Sequence, residues 1–146
     1  MISTKGRYAL RMMLDLAQYD EGKPVSLKDI AARQDISKKY LEQIVPLLNH
    51  AGMLKTCRGI GGGYMLARPA AEYSVGDILR VTENNLETAP CLRSGKDGCG
   101  RTNECMAANV WAGLNRTMFD FVDRISLQDI LDGNPTGEKR ENVCPV

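Results

Sequence analysis

Four of the five residues from Gly59 to Gly63 are glycine. No helix survives such a run, because each interior glycine costs about 1 kcal/mol relative to alanine. The flanking residues Met53, Leu54, Tyr64, Met65 and Leu66 are strand-like. The stretch 53–67 therefore predicts a two-stranded hairpin with a glycine-rich tip, closed by Pro69. It is not a nucleotide phosphate loop, since it lacks the Gly-Lys-Ser/Thr ending and has no βαβ unit around it.

The residues before the hairpin predict two short helices in tight succession. Ser26 precedes LKDIAARQ, with Asp29 three positions on in the manner of a capping box, which predicts a helix over 27–34. Ser37 precedes KKYLEQIVPLLNHAG, in which Leu41, Ile44, Val45 and Leu48 form one apolar face and Pro46 is expected to bend the element. Only Asp35 to Ser37 separate the two, a spacing that reads as a helix-turn-helix. A first helix opens at Ser3 or Thr4 and carries Ala9, Met12, Met13 and Leu16 at helical spacing. A hairpin directly after a helix-turn-helix makes a winged helix-turn-helix, mostly α with a small β wing.

In that arrangement the first turns of the second helix enter the DNA major groove. Here they hold Ser37, Lys38, Lys39, Tyr40, Glu42 and Gln43. Gln43 suits an adenine edge and Glu42 a cytosine amino group. Ser37, Lys38, Lys39 and Tyr40 suit phosphates, with packing an equal option for Tyr40. Arg58, Gly59 and Gly61 form a tip suited to a minor groove, and Lys5, Lys55 and Thr56 are further phosphate candidates. Charge agrees with this division: residues 1–70 hold eleven Lys and Arg against six Asp and Glu, residues 71–146 eight against twelve.

The second half predicts a short helix after Ser74, a loop over 84–102, a long helix over 103–124 and a short one over 126–131. The expected division is a DNA-binding head at 1–82, a cysteine-bearing loop at 83–102, helices at 103–132 and a flexible tail at 133–146. Cys91, Cys99 and Cys105 follow a C-x7-C-x5-C pattern among Gly, Asp, Asn and Arg, with Cys105 expected in the first turn of the long helix. That setting favours a ligand or redox role over burial, with a metal centre, a metal-free thiol switch or inert thiols all open. Zinc and iron–sulfur clusters both accept such donors. The fourth ligand is open among Asn103, Glu104, Asn109, the tail's Cys144, a group of a partner subunit or a small thiol. His50 is expected to be structural, and Cys57, beside Arg58 in the wing, to be no ligand of the same centre and to have no role.

The chain has no apolar run long enough to cross a membrane and no signal-peptide pattern, so the expected location is cytoplasmic. Paired carboxylates and a nucleophile with a histidine base are missing, which argues against an enzyme. An adaptor whose winged helix binds protein is the remaining rival class.

The opening STKGRYAL, the stretch ISKKYLEQIVPLLNHAGMLKTCRGIGGGYMLARP and YSVGDILRVTE together resemble the IscR-type iron–sulfur regulators. Their relatives include the cysteine-metabolism repressor CymR and the nitric-oxide sensor NsrR. The resemblance spans about residues 1–132. It implies a homodimer joined through the long helix, with Met106, Val110, Leu114, Met118 and Phe121 as the seam, on a palindromic operator. It also implies an iron–sulfur cluster, 2Fe–2S in the IscR type, on Cys91, Cys99 and Cys105, and control of genes for cluster assembly by a regulator, usually a repressor, with cluster-assembly proteins as further partners. The alternatives it leaves are a cluster-free repressor of sulfur metabolism responding to thiols or a metabolite, and a nitric-oxide or redox sensor. Two departures stand out. Seven residues separate the first two cysteines where five are common, and Ala108 stands where the IscR type has a histidine. Arg7 stands where the nitric-oxide sensors have a ligating aspartate.

Overall fold

The computed structural model describes residues 2–93, 99–101 and 103–136. The expected winged helix-turn-helix is present, and serines begin most of its helices. The hydroxyls of Ser3, Ser26 and Ser37 accept from the amides of Gly6, Asp29 and Tyr40 at the starts of α1 (Thr4–Gln18), α2 (Leu27–Gln34) and α3 (Lys38–His50). Each bond satisfies one of the four amides that a helix start leaves unpaired. Asp35 turns the chain between α2 and α3 in a left-handed conformation (φ 50°), and Ile36 drops into the core. Helix α3 runs on through Pro46, whose ring faces solvent.

The apolar faces of these helices meet in one core. Met12 and Met13 of α1, Ile30 of α2 and Leu41, Ile44 and Leu48 of α3 are fully buried there, joined by Ile78 and Leu127 from the second half. One charged group lies among them. The Asp15 carboxylate, with no exposed side-chain surface, accepts two hydrogen bonds from the Arg33 guanidinium at 2.6 and 3.0 Å and a third from the Gln34 amide at 3.0 Å. This pairing ties α1 to α2 and raises the Arg33 pKa, first through the hydrogen bond to Asp15.

The hairpin pairs β1 (Leu54–Cys57) with β2 (Gly63–Leu66) in antiparallel register, Leu54 opposite Leu66 and Cys57 opposite Gly63. Val25, just before α2, adds a single bridge, exchanging both backbone hydrogen bonds with Tyr64 at 2.9 Å. That third strand is one residue long, and the sequence gives no sign of it. It explains Gly63, where a Cβ would stand 2.3 Å from the Val25 carbonyl oxygen.

Tyr73 fastens the foot of the hairpin. Its buried hydroxyl donates to the Met53 carbonyl and accepts from the Arg68 amide, both at 2.9 Å. Helix α4 (Val75–Thr82) follows, opened by a full capping box between Ser74 and Asp77. Helix α5 (Ala108–Arg124) packs its C-terminal end on α4 through Val75, Leu79, Val122 and Ile125, with Arg80 bonded to Asp123 at 2.6 Å. Helix α6 (Leu127–Leu131) opens with a second capping box, Ser126 with Asp129. Backbone bonds from Val75 to Ile125 and from Leu127 to Tyr73 stitch the starts of α4 and α6 together.

One boundary differs from expectation. The long helix begins at Ala108 rather than at 103, so Cys105 and Met106 precede it. No side chain caps its start, and the Cys105 carbonyl accepts from the Ala108 amide at 3.1 Å in the turn leading in. Cys105 is therefore outside the first helical turn, and the sequence expectation that placed it there is corrected.

Candidate nucleic-acid interface and cysteine loop

The cap at Ser37 leaves the first turns of α3 facing solvent. Lys38, Lys39, Glu42 and Gln43 are exposed, while the same turns bury Leu41 and Ile44 behind them. Lys38 and Glu42 lie 3.4 Å apart, one turn from each other and both half in solvent. Such a pair is worth little to stability and exchanges readily for other partners. Tyr40 is half-buried, its ring edge-to-face with Tyr8 of α1 at 5.2 Å between centroids. Packing thus occupies its ring, and the start of α1 is set beside the start of α3. Lys5 and Tyr40 line one open hollow there, with Glu83, Asn84 and Asn85.

The hollow holds a contact that the sequence did not signal. The Glu83 carboxylate, at the end of α4, accepts from the Ser3 amide at 2.9 Å and the Ser3 hydroxyl at 2.8 Å. It sits at the positive end of α1, where a negative charge is favoured. Gly6 makes room for it, since a Cβ there would stand 2.2 Å from the carboxylate oxygen. Glu83 is also the last residue before the segment that leads to the cysteines.

The wing approaches α3 from its other end, where the Thr56 hydroxyl donates to Asn49 at 3.2 Å. Lys55, Arg58, Gly59 and Gly61 are exposed along it. Gly59 and Gly61 both have positive φ, at 102° and 74°. The candidate DNA residues thus fall on three neighbouring elements: Lys5 on α1, Ser37 to Gln43 on α3, and Lys55 to Gly61 on the wing. His50 is exposed at the end of α3, and Cys57 is half-buried at the end of β1.

The cysteines are arranged differently from a ready-made centre. Cys91 is half-buried in a short 3-10 turn, Pro90–Leu92, while Cys99 and Cys105 are exposed. Among the described residues no three His, Cys, Asp or Glu side chains converge closely enough to hold a metal ion. The donor set nevertheless has the right chemistry for a sulfur-liganded centre, three thiols within fifteen residues of chain. Exposed Asn103 and Glu104 stand beside Cys105, and Asn109 is exposed on the first turn of α5. Cys144 and the tail from residue 137 lie outside the described residues.

A capped helix with an exposed polar start, a three-residue turn and a cationic glycine-tipped wing together describe a DNA-binding head. The family model for Rrf2, an iron-dependent transcriptional regulator, matches residues 2–133. The chain belongs to the Rrf2 family. It is a transcriptional regulator, and its named relatives are regulators rather than enzymes. It is 35% identical over 131 residues to the regulator IscR of Yersinia pseudotuberculosis, covering 90% of this chain and 79% of that one. Among solved structures it is similar to IscR of T. potens, at a TM-score of 0.72 and 37% identity over 97% of this chain and 93% of that one. It is similar also to CymR, the global cysteine regulator of B. subtilis, at 0.71 and 32% over 91% and 97%. No described helix is long and apolar enough to cross a membrane.

Proposed function

We propose that this Rrf2 protein is a cytoplasmic homodimeric regulator, most simply a repressor, that reads a palindromic operator and governs genes for iron–sulfur cluster assembly. The observation that carries the reading is the exposed start of α3, with Lys38, Lys39, Glu42 and Gln43 free of the core, beside a wing that holds Lys55 and Arg58. Glu42 and Gln43 read base edges in the major groove. Ser37, Lys38, Lys39, Tyr40, Lys5, Lys55 and Thr56 meet phosphates. Arg58 enters the flanking minor groove with Gly59 and Gly61 close to the backbone.

The dimer seam is the apolar stripe of α5, on which Val110, Leu114 and Phe121 are exposed and Met118 is half-buried, continued by Met106 just before the helix. Leu114→Glu places a charge in that seam and should yield a monomer by sedimentation with weakened operator binding.

Cys91, Cys99 and Cys105 would hold an iron–sulfur cluster of the 2Fe–2S type. A cluster bound there supplies a centre sensitive to iron and oxidant. The protein's own part is to hold the cysteine segment at Glu83, which is bonded to the start of α1 and so lies one helix away from Tyr40 and α3. Cluster-assembly proteins are the natural donors to such thiols. Anaerobic reconstitution with iron and sulfide, read by absorption and Mössbauer spectra, should give a stoichiometric cluster that Cys91→Ala, Cys99→Ala and Cys105→Ala each abolish.

A second reading is favoured by one observation, the absence of three converging donors among the described residues. On it, the protein is a cluster-free repressor of sulfur metabolism responding to thiol state or a metabolite, as its likeness to CymR suggests, or a nitric-oxide sensor. Colourless protein after reconstitution, with operator binding that thiol oxidants alter, would select it.

A further inference from the structure

The tip of the wing presents one side chain that the proposed contacts leave without a role. Ile60 is fully exposed. It lies between Gly59 and Gly61, and the Gly62 amide donates to the Gly59 carbonyl at 3.0 Å, closing a four-residue turn with Ile60 at its second position. The positive φ at Gly59 and Gly61 disfavours a side chain at either. A Cβ on Gly62 would meet the Cys57 carbonyl oxygen at 2.4 Å. The tip is therefore a slim ribbon of backbone bearing a single branched apolar group. A lone exposed hydrophobe is ordinary on a protein surface, but the surroundings of this one are not neutral. From Lys55 to Arg68 the hairpin has three cations and no Asp or Glu. That charge matches a polyanion.

We propose that Ile60 is an apolar contact to the DNA minor groove, entering beside Arg58 and packing on the deoxyribose walls. The inference rests on the DNA-binding function proposed above and adds a residue and a mode of recognition to it. The minor groove is about 6 Å wide in B-DNA, and narrower in A-tracts. Its walls are sugar C–H groups, and minor-groove proteins do bring isoleucine and other apolar side chains to it. Arg58 supplies attraction that salt screens. Ile60 supplies contact that depends on how closely the walls approach, so the tip responds to groove width.

The test uses the full-length protein and a duplex that the wild type selects from a randomised library. Affinity is measured across a range of salt for wild type, Ile60→Ala and Arg58→Ala. Removing three half-desolvated carbons per wing at about 0.8 kcal/mol per fully buried CH₂ predicts roughly an eightfold loss for each wing, and about sixtyfold for Ile60→Ala with both wings of the proposed dimer on the operator. Its salt slope should equal that of wild type, because no cation is removed, whereas Arg58→Ala removes one cation from each wing of the proposed dimer and should lower the slope by about two. Placing G·C beneath the tip puts a guanine amino group in the groove, and inosine·C removes that group again. Wild type should lose affinity on G·C and recover it on inosine·C, and Ile60→Ala should respond less. Thermal unfolding of Ile60→Ala should match wild type.

Ile60→Ala binding with wild-type affinity would overturn the inference and leave the DNA reading standing. Self-association of the wild type that Ile60→Ala abolishes, with DNA affinity unchanged, would also overturn it and assign the tip to a second copy. A wild type without salt-dependent DNA binding would remove both the inference and the function beneath it.

Discussion

Replacing Tyr73 with phenylalanine deletes one oxygen and keeps the ring in place, which isolates the pin at the foot of the wing. Two hydrogen bonds go, to the Met53 carbonyl and from the Arg68 amide, each 2.9 Å long. They are not equal losses. The Met53 carbonyl also accepts from the Ala67 amide at 3.1 Å and keeps a partner. The Arg68 amide loses its acceptor, and the site around the hydroxyl is buried. A net contribution of about 1 kcal/mol per bond, with a further cost for a donor left dry, gives about 2 kcal/mol. For a chain of this length that corresponds to about 4–8 °C in midpoint. Urea unfolding followed by circular dichroism measures it directly, and the slope with urea should not change, since the surface exposed on unfolding is the same. A loss under about 0.5 kcal/mol would refute the reasoning and mean that water replaces both bonds. Because the pinned atoms flank both strands of the hairpin, amide exchange in residues 54–66 should quicken more than exchange in α1.

Other consequences follow from the same bookkeeping of partners. Arg33→Ala leaves the Asp15 carboxylate buried with Gln34 alone, and a loss of about 3 kcal/mol is expected in urea unfolding; Asp15→Asn, which keeps an acceptor for Arg33, should lose less. Gly63→Ala drives a Cβ into the Val25 carbonyl, so the one-residue strand must part from β2, at a cost of about 2 kcal/mol and with faster exchange of the Tyr64 amide. Asp129 titrates below the ordinary aspartate value of 3.8, because the Ser126 hydroxyl and then the Ser126 amide bond its carboxylate. Its contribution is therefore present above about pH 4 and lost as pH falls through the lowered value; Asp129→Asn should flatten that acid limb of the stability curve.

The helices of the head were legible because each begins at a serine that accepts from the third residue on, and each has an apolar stripe at helical spacing. Periodicity told less about α5. The Met106–Val110–Leu114 spacing continues outward past the true start, and no capping side chain marks where the helix begins. Apolar spacing records which face is shared, not where the backbone turns. Val25, Tyr73 and Glu83 were illegible for a different reason. Each acts on residues distant in sequence, and a single valine, tyrosine or glutamate looks alike wherever it falls. Glycines were a partial clue: Gly6 and Gly63 marked places where something had to come close, without saying what.

The apolar stripe of α5 is most exposed toward its N-terminal end: Phe121 is 42% exposed and Met118 half-buried, whereas Leu114 is 51%, Val110 63% and Met106, just beyond the helix, 97% exposed. The helix is clamped at its root by Val122, Ile125 and the Arg80–Asp123 pair, held again at mid-length where the Thr88 amide donates to the Asn115 side chain at 3.0 Å, and most exposed at its far end. At 1.5 Å per residue the 17-residue helix is about 25 Å long from root to tip, so a tilt of about 10° at the root would sweep the tip by roughly 4 Å. In the homodimer proposed above, the separation of the two heads would then depend on a few side chains near Ile125. Small repacking at that root would change the spacing of half-sites that the proposed dimer accepts.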